Sequence, residues 1–121
     1  MIDMKKALLV LSFVALCVGC SSKNSPARVV EECWQRLSDG KVREAVELMN
    51  VEESEVAIYR EIFEEQCGEL LEAGGMTDFE VLSLSEGETD ATVEAIVTLR
   101  NGQHIGATYT LIKRDKKWLI E

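Results

Sequence analysis

Few residues in this chain of 121 could do chemistry: one histidine, His104, four cysteines and two tyrosines, with many carboxylates. No Ser/His/Asp set and no phosphate loop appears. Two cysteines and one distant histidine do not make a zinc set, so no metal is expected. His104 follows Gly102-Gln103 at the mouth of a hairpin, the position of an exposed turn residue. Asp78 and Asp90 flank strands and read as turn residues. Tyr59 and Tyr109 put a hydroxyl at the tip of otherwise apolar faces. A buried tyrosine hydroxyl needs a partner, so each either belongs to the core or faces a pocket. Proton abstraction needs a titratable group aimed into a dry cavity. No carboxylate stands in a pattern that would put it there, so a non-catalytic protein without a cofactor is expected.

The N-terminus has its own chemistry. Met1-Ile2-Asp3-Met4-Lys5-Lys6 precedes an apolar run from Ala7 to Leu16. A charged start followed by a short apolar stretch is the form of a secretory signal. The run is too short to span a bilayer, which takes about 20 apolar residues. It leads into Leu16-Cys17-Val18-Gly19-Cys20-Ser21-Ser22. This resembles the lipobox of bacterial lipoproteins, a small residue before the modified cysteine, with Cys17 where that pattern usually has Leu. The resemblance implies that residues 1–19 are a signal peptide removed before Cys20. Cys20 would then carry a thioether diacylglycerol and an N-acyl chain of the palmitate kind, with residues 20–25 as lipidated cysteine and tether. Two or more chains anchor a protein stably where one binds marginally. Ser21, not Asp, follows the cysteine, so the periplasmic face of the outer membrane is expected in a host with two membranes. An ordinary secreted protein with an incidental cysteine is the alternative.

Thirteen Lys and Arg against 22 Asp and Glu give a net charge of −9. Loss of residues 1–19 would remove Lys5, Lys6 and Asp3, which moves the balance one unit further, to −10. Such acidity argues against nucleic acid, whose phosphates need basic surface, and against electrostatic docking on anionic lipid. The lipid on Cys20 is the expected membrane contact. With Cys20 acylated, Cys33 and Cys67 remain as an even pair. Exported compartments permit disulfides, and a bridge closing that loop would contribute about 4 kcal/mol on a chain-entropy basis. Two buried thiols acting as small apolar groups are the alternative.

The elements that must position these residues follow from periodicity. Ser25-Pro26 reads as N-cap and first helical residue, and Val30, Cys33, Trp34 and Leu37 repeat at helical spacing up to Asp39-Gly40. Lys41 to Met49 reads as a second short helix. Glu52 to Ala73 is the longest, with Val56, Tyr59, Phe63, Cys67 and Leu70 as its buried stripe. From Thr77 the period becomes 2. A strand over 78–85 is followed by one in which Ala91, Val93, Ala95, Val97 and Leu99 alternate with polar residues. Asn101-Gly102 signals a hairpin, His104 to Arg114 returns, and Trp118-Leu119-Ile120 ends the sheet. Helices followed by a four-stranded antiparallel meander make an α+β fold with the helices on one sheet face.

Ser25-Pro26 with Val29-Val30 and Trp34, followed by Leu37-Ser38-Asp39-Gly40-Lys41 with Ala45 and Leu48, resembles the opening of nuclear-transport-factor-2-like domains. Residues 109–120, from Tyr109-Thr110-Leu111 to Trp118-Leu119-Ile120, resemble their closing hairpin, with Lys116 in place of the usual turn glycine and Leu119 in place of a lysine. The resemblance covers about residues 25–121, with the domain itself over 26–121, and implies a cone, a curved sheet wrapped around a long helix. A small binding module for an apolar or amphipathic ligand is then expected, lined by Trp34, Tyr59, Phe63, Tyr109 and Trp118. A structural or interaction protein of the envelope is the alternative, for instance a homodimer through an outer sheet patch of Leu82, Leu84, Ile96 and Ile112. An isomerase- or dehydratase-like enzyme is the weaker alternative.

Overall fold

The computed structural model describes residues 24–121. The expected signal peptide, residues 1–19, and the expected lipidation site, Cys20, lie outside the described residues.

Ser25 is extended, and its hydroxyl accepts the Arg28 N–H at 3.4 Å. Pro26, which has no N–H to satisfy, opens helix α1 (Pro26–Ser38). At its end the Lys41 N–H donates to the Arg36 carbonyl and the Gly40 N–H to that of Leu37, with Gly40 at φ 78°. A left-handed residue after the helix closes it with this bond pair. Val29, Val30, Cys33 and Leu37 form the buried stripe of α1.

Helix α2 is shorter than the periodicity suggests, Val42–Val46. The Asn50 N–H donates to the Ile120 carbonyl at 2.7 Å, and the Ile120 N–H donates to the Leu48 carbonyl at 2.9 Å. Residues 48–50 therefore run beside the end of the chain, with a parallel bridge between Met49 and Ile120, instead of finishing the helix. A 3-10 turn at Glu53–Glu55, where Glu52 and Glu55 cap each other's backbone, leads into α3 (Val56–Glu72). Phe63, Cys67 and Leu70 are its buried residues.

Four strands, β1 (Met76–Glu86), β2 (Asp90–Leu99), β3 (His104–Arg114) and β4 (Lys117–Ile120), pair antiparallel in sequence order. Every second residue of β2 from Ala91 to Leu99 is at most 5% exposed. Tyr109 and Leu111 of β3 stand opposite Val93 and Ala91 on that inner face. Helix α1 packs against β1, β2 and β4, and α3 rests mainly on α1 and α2. The core, with Trp118, Leu111, Val30, Val93 and Val97 fully enclosed, lies between α1 and the sheet. This is the α+β arrangement expected from the change of period. No helix among the described residues is long and apolar enough to cross a membrane.

Strand β1 departs from simple alternation. Phe79 and Val81 oppose Val97 and Ala95, and the register then slips, so that Ser83 opposes Glu94 and Leu84 opposes Val93. One extra residue, Leu82, reverses inside and outside beyond it. Leu84 is therefore on the inner side, and Ile96 and Ile112 are half-buried on the outer one. The outer patch of Leu82, Leu84, Ile96 and Ile112 expected for a dimer does not form.

The β3–β4 turn holds Asp115 at φ 51° and Lys116 at φ 67°. Both central residues of such a two-residue turn need positive φ. Lys116 occupies the left-handed position with a side chain that disfavours it by about 1–2 kcal/mol. Lys116→Gly is expected to stabilise the protein by about 1 kcal/mol, seen as a higher urea midpoint with an unchanged slope. A lower midpoint would mean that the lysine makes an interaction worth more than the strain.

Candidate functional site

The end of α3 is tied to the β2–β3 hairpin through the backbone. The Arg100 N–H donates to the Gly75 carbonyl and the Asn101 N–H to that of Ala73, each at 3.0 Å. A Cβ on Gly74, which has φ 92°, would fall 2.8 Å from the Cβ of Arg100. Only glycine allows this approach. The junction fixes the spacing between the last turns of α3 and the hairpin loop.

A cleft of about 220 Å³ opens beside that junction. Trp34 of α1, Leu70 of α3, Leu99 of β2 and Ile105 of β3 supply its apolar lining. Gln66 and Glu69, three residues apart on α3, and Gln103 on the hairpin supply a polar rim. Behind the lining, the Trp34 Nε1–H donates to the Tyr109 hydroxyl at 2.9 Å. The bond satisfies the indole N–H, so Trp34 brings no unmet donor to the cleft. Burial pushes the Tyr109 hydroxyl pKa up, and the bond from Trp34 partly offsets this. Mostly apolar walls with a few convergent polar groups are the usual make-up of a small-molecule site. One other hollow, of about 440 Å³ around Lys41, Arg43, Arg60 and Glu64, lies on the outside of α2 and α3 and has mainly polar walls.

The residues singled out from sequence are distributed as follows. Trp34 lines the cleft and Tyr109 stands directly behind it. Tyr59 is half-buried at the margin of the core. Phe63 and Trp118 are inside the core, and the ammonium of exposed Lys113 lies 5.2 Å from the Trp118 ring centre. The rim residues Gln66, Glu69 and Gln103 were not anticipated. Their one sequence signal is that Gln66 interrupts the glutamates of Glu64-Glu65-Gln66-Cys67-Gly68-Glu69 on the flank next to Leu70. His104 is exposed on the outer face, its Nδ1 3.0 Å from the Thr98 hydroxyl. No group of three His, Cys, Asp or Glu among the described residues is placed to hold a metal ion.

Cys33 and Cys67 are both buried and are free thiols, so the disulfide expected between them is not formed in this structure. The Cys33 Sγ instead sits 3.9 Å from the Ala45 carbonyl, on the α1–α2 contact. Both residues serve as small apolar groups in the packing. Burial pushes the Cys33 thiol up to about 12, against the opposing pull of the Arg36 guanidinium.

A crystal structure of a Campylobacter jejuni protein, provisionally named an NTF2-like transpeptidase, superposes on this chain with a TM-score of 0.69. The two share 16% identity, and the match covers 79% of this chain and 96% of the other. The fold is nuclear-transport-factor-2-like. No protein-family model matches the sequence, and no curated protein matches it either. Fold likeness at this identity carries no activity with it.

The buried thiol makes stability fall in alkali. Cys33 holds its proton up to about 12 in the folded state, against an ordinary 9.0. Below about pH 9 folded and unfolded chains are both protonated there and the contribution is complete. Above it the unfolded chain ionises first, and the contribution is lost as pH rises towards 12. Tyr109 acts in the same direction. Urea midpoints measured upward from pH 8.5 should fall, and less steeply in Cys33→Ala. An unchanged slope in that variant would show that the thiol is accessible to solvent.

Proposed function

We propose that this chain is an exported lipoprotein, anchored through Cys20 at the periplasmic face of the outer membrane. Its domain binds a small amphipathic ligand without transforming it. The observation that carries the binding part is the cleft at the α3–hairpin junction. Trp34, Leu70, Leu99 and Ile105 offer apolar surface to a hydrocarbon part, while Gln66, Glu69 and Gln103 offer donors and acceptors to a polar one. Its carboxylate, Glu69, favours a neutral or cationic head group over an anionic one. The lipobox-like run before Cys20 supports the anchoring part.

The transpeptidase name of the structural neighbour is not carried over. Acyl transfer needs an accessible, activated nucleophile. Cys33 is buried with its thiol held protonated, the reverse of a reactive cysteine. Tyr109, committed to Trp34 and pushed up, is no base at neutral pH.

The anchoring is tested by growing cells with an alkyne-tagged palmitate. The wild-type protein should carry the tag and sediment with membranes, and Cys20→Ala should do neither. A tagged or membrane-bound Cys20→Ala protein would sink the assignment of that residue.

The cleft is tested by native mass spectrometry of the full chain, released from a non-ionic detergent in the presence of octylamine. A one-to-one adduct is expected that disappears on denaturation and is absent in Ile105→Trp, whose larger ring fills the lining. An adduct of equal strength in both proteins would place binding elsewhere and end the cleft reading.

A further inference from the structure

The two edges of the sheet are treated differently. Strand β4 is covered: residues 48–50 pair with Ile120, and the Trp118 N–H donates to the Asn24 carboxamide oxygen at 2.6 Å. Strand β1 forms the opposite edge and has no partner strand on that side among the described residues. Every residue from 81 to 86 is exposed. An edge strand presents alternate N–H and C=O groups to solvent, a template for a further strand.

Apolar side chains accompany this edge. Val81, Leu82 and Leu84 are 40%, 49% and 49% exposed. Val81 and Leu84 share the inner side with Phe79, so their surface continues that of the core beyond the cover of the helices. Exposed apolar residues on an unpaired strand are an aggregation hazard unless something covers them.

Charge decides the occupant. Residues 76–90 carry Asp78, Glu80, Glu86, Glu88 and Asp90, with no lysine or arginine. A second copy, added antiparallel along β1, would bring two such acidic strips together with no cation between them, and like charges repel. The tether of this chain does not serve either. It enters beside β4, and with cleavage before Cys20 its residues 20–23 reach at most about 14 Å. The three strand spacings to β1 alone take about 14 Å.

We propose that the free edge of β1 binds an extended segment of a partner protein, in which apolar residues alternate with lysine or arginine, as a fifth strand. The backbone ladder supplies the pairing, Val81, Leu82 and Leu84 supply apolar contact, and the acidic residues select a basic sequence. This surface lies apart from the Trp34 cleft and does not depend on what the cleft binds.

The test uses the full chain, isotope-labelled and held in a non-ionic detergent. The probe is a capped peptide of alternating lysine and valine, with a glutamate–valine peptide as control. The expected result is a saturable change of the amide signals over residues 78–88, slower exchange of β1 amides, and no response to the control. The double variant Val81→Lys, Leu84→Lys should weaken binding at least about tenfold, with its β3 signals unchanged to show that the fold persists. Three results would overturn the proposal. One is no response to the basic peptide at millimolar concentration. Another is equal response to both peptides. The third is a peptide-free dimer whose contact lies on β1, which would make the occupant a second copy.

Discussion

A mismatch of lengths governs this fold. The inner face of the sheet is continuous and apolar, and water must be kept from it. The element laid against it is α1, of 13 residues, about 20 Å long. The strands β1 and β3 have 11 residues each, about 36 Å when extended. One helix therefore covers the middle of the sheet and leaves both ends of its inner face open. At the β2–β3 hairpin the overhang is roofed by the last turns of α3, and the gap that remains is the Trp34 cleft. At the far end of β1 nothing roofs it among the described residues, and Val81 and Leu84 stand in solvent. Cleft and bare edge are two outcomes of the same shortage of helix.

The two polar features inside this arrangement differ in kind. The Trp34–Tyr109 bond satisfies the indole N–H, and its role is to fix two large rings between α1 and β3. The rim of Gln66, Glu69 and Gln103 is open to solvent, with the Gln103 side-chain oxygen accepting from the Asn101 amide at 3.4 Å. Precision at the rim comes from the backbone, through Gly74 against Arg100 and the two bonds into the loop. A glycine two residues after the end of α3 thus matters to the cleft without touching it.

Much of this was readable from the sequence where one rule acted alone. Ser25-Pro26 sets the start of α1, and the strict alternation of β2 marks its buried face, because a strand with one wet side has to alternate. What escaped depended on a distant partner. The end of α2 is set by Ile120, some seventy residues on, which draws residues 48–50 into a bridge. The slip at Leu82 leaves a trace in the sequence, where the apolar positions change phase from Phe79 and Val81 to Leu82 and Leu84, but only the pairing shows that it moves Leu84 across the sheet. The cleft lining mixes residues that look like core, Leu70 and Leu99, with surface amides whose meeting depends on the α3–hairpin junction. Cys33 and Cys67 both fall on buried stripes as periodicity requires, but a stripe says nothing about which way a sulfur turns, and Cys33 turns to Ala45.

The acidity of the chain bears on how its surfaces are presented. On the proposed anchoring, a domain this negative is repelled by an anionic leaflet, so lipid holds it near a surface that its own charge keeps at a distance. The chain enters beside β4, where Asn24 meets Trp118. The membrane-side edge of the sheet is then the one already covered by residues 48–50, and the uncovered edge of β1 points away from the anchor. The same charge that would prevent two copies from pairing along β1 raises the local concentration of a basic partner there. An edge that is apolar enough to bind and acidic enough to refuse itself meets both requirements with the same few residues of one strand.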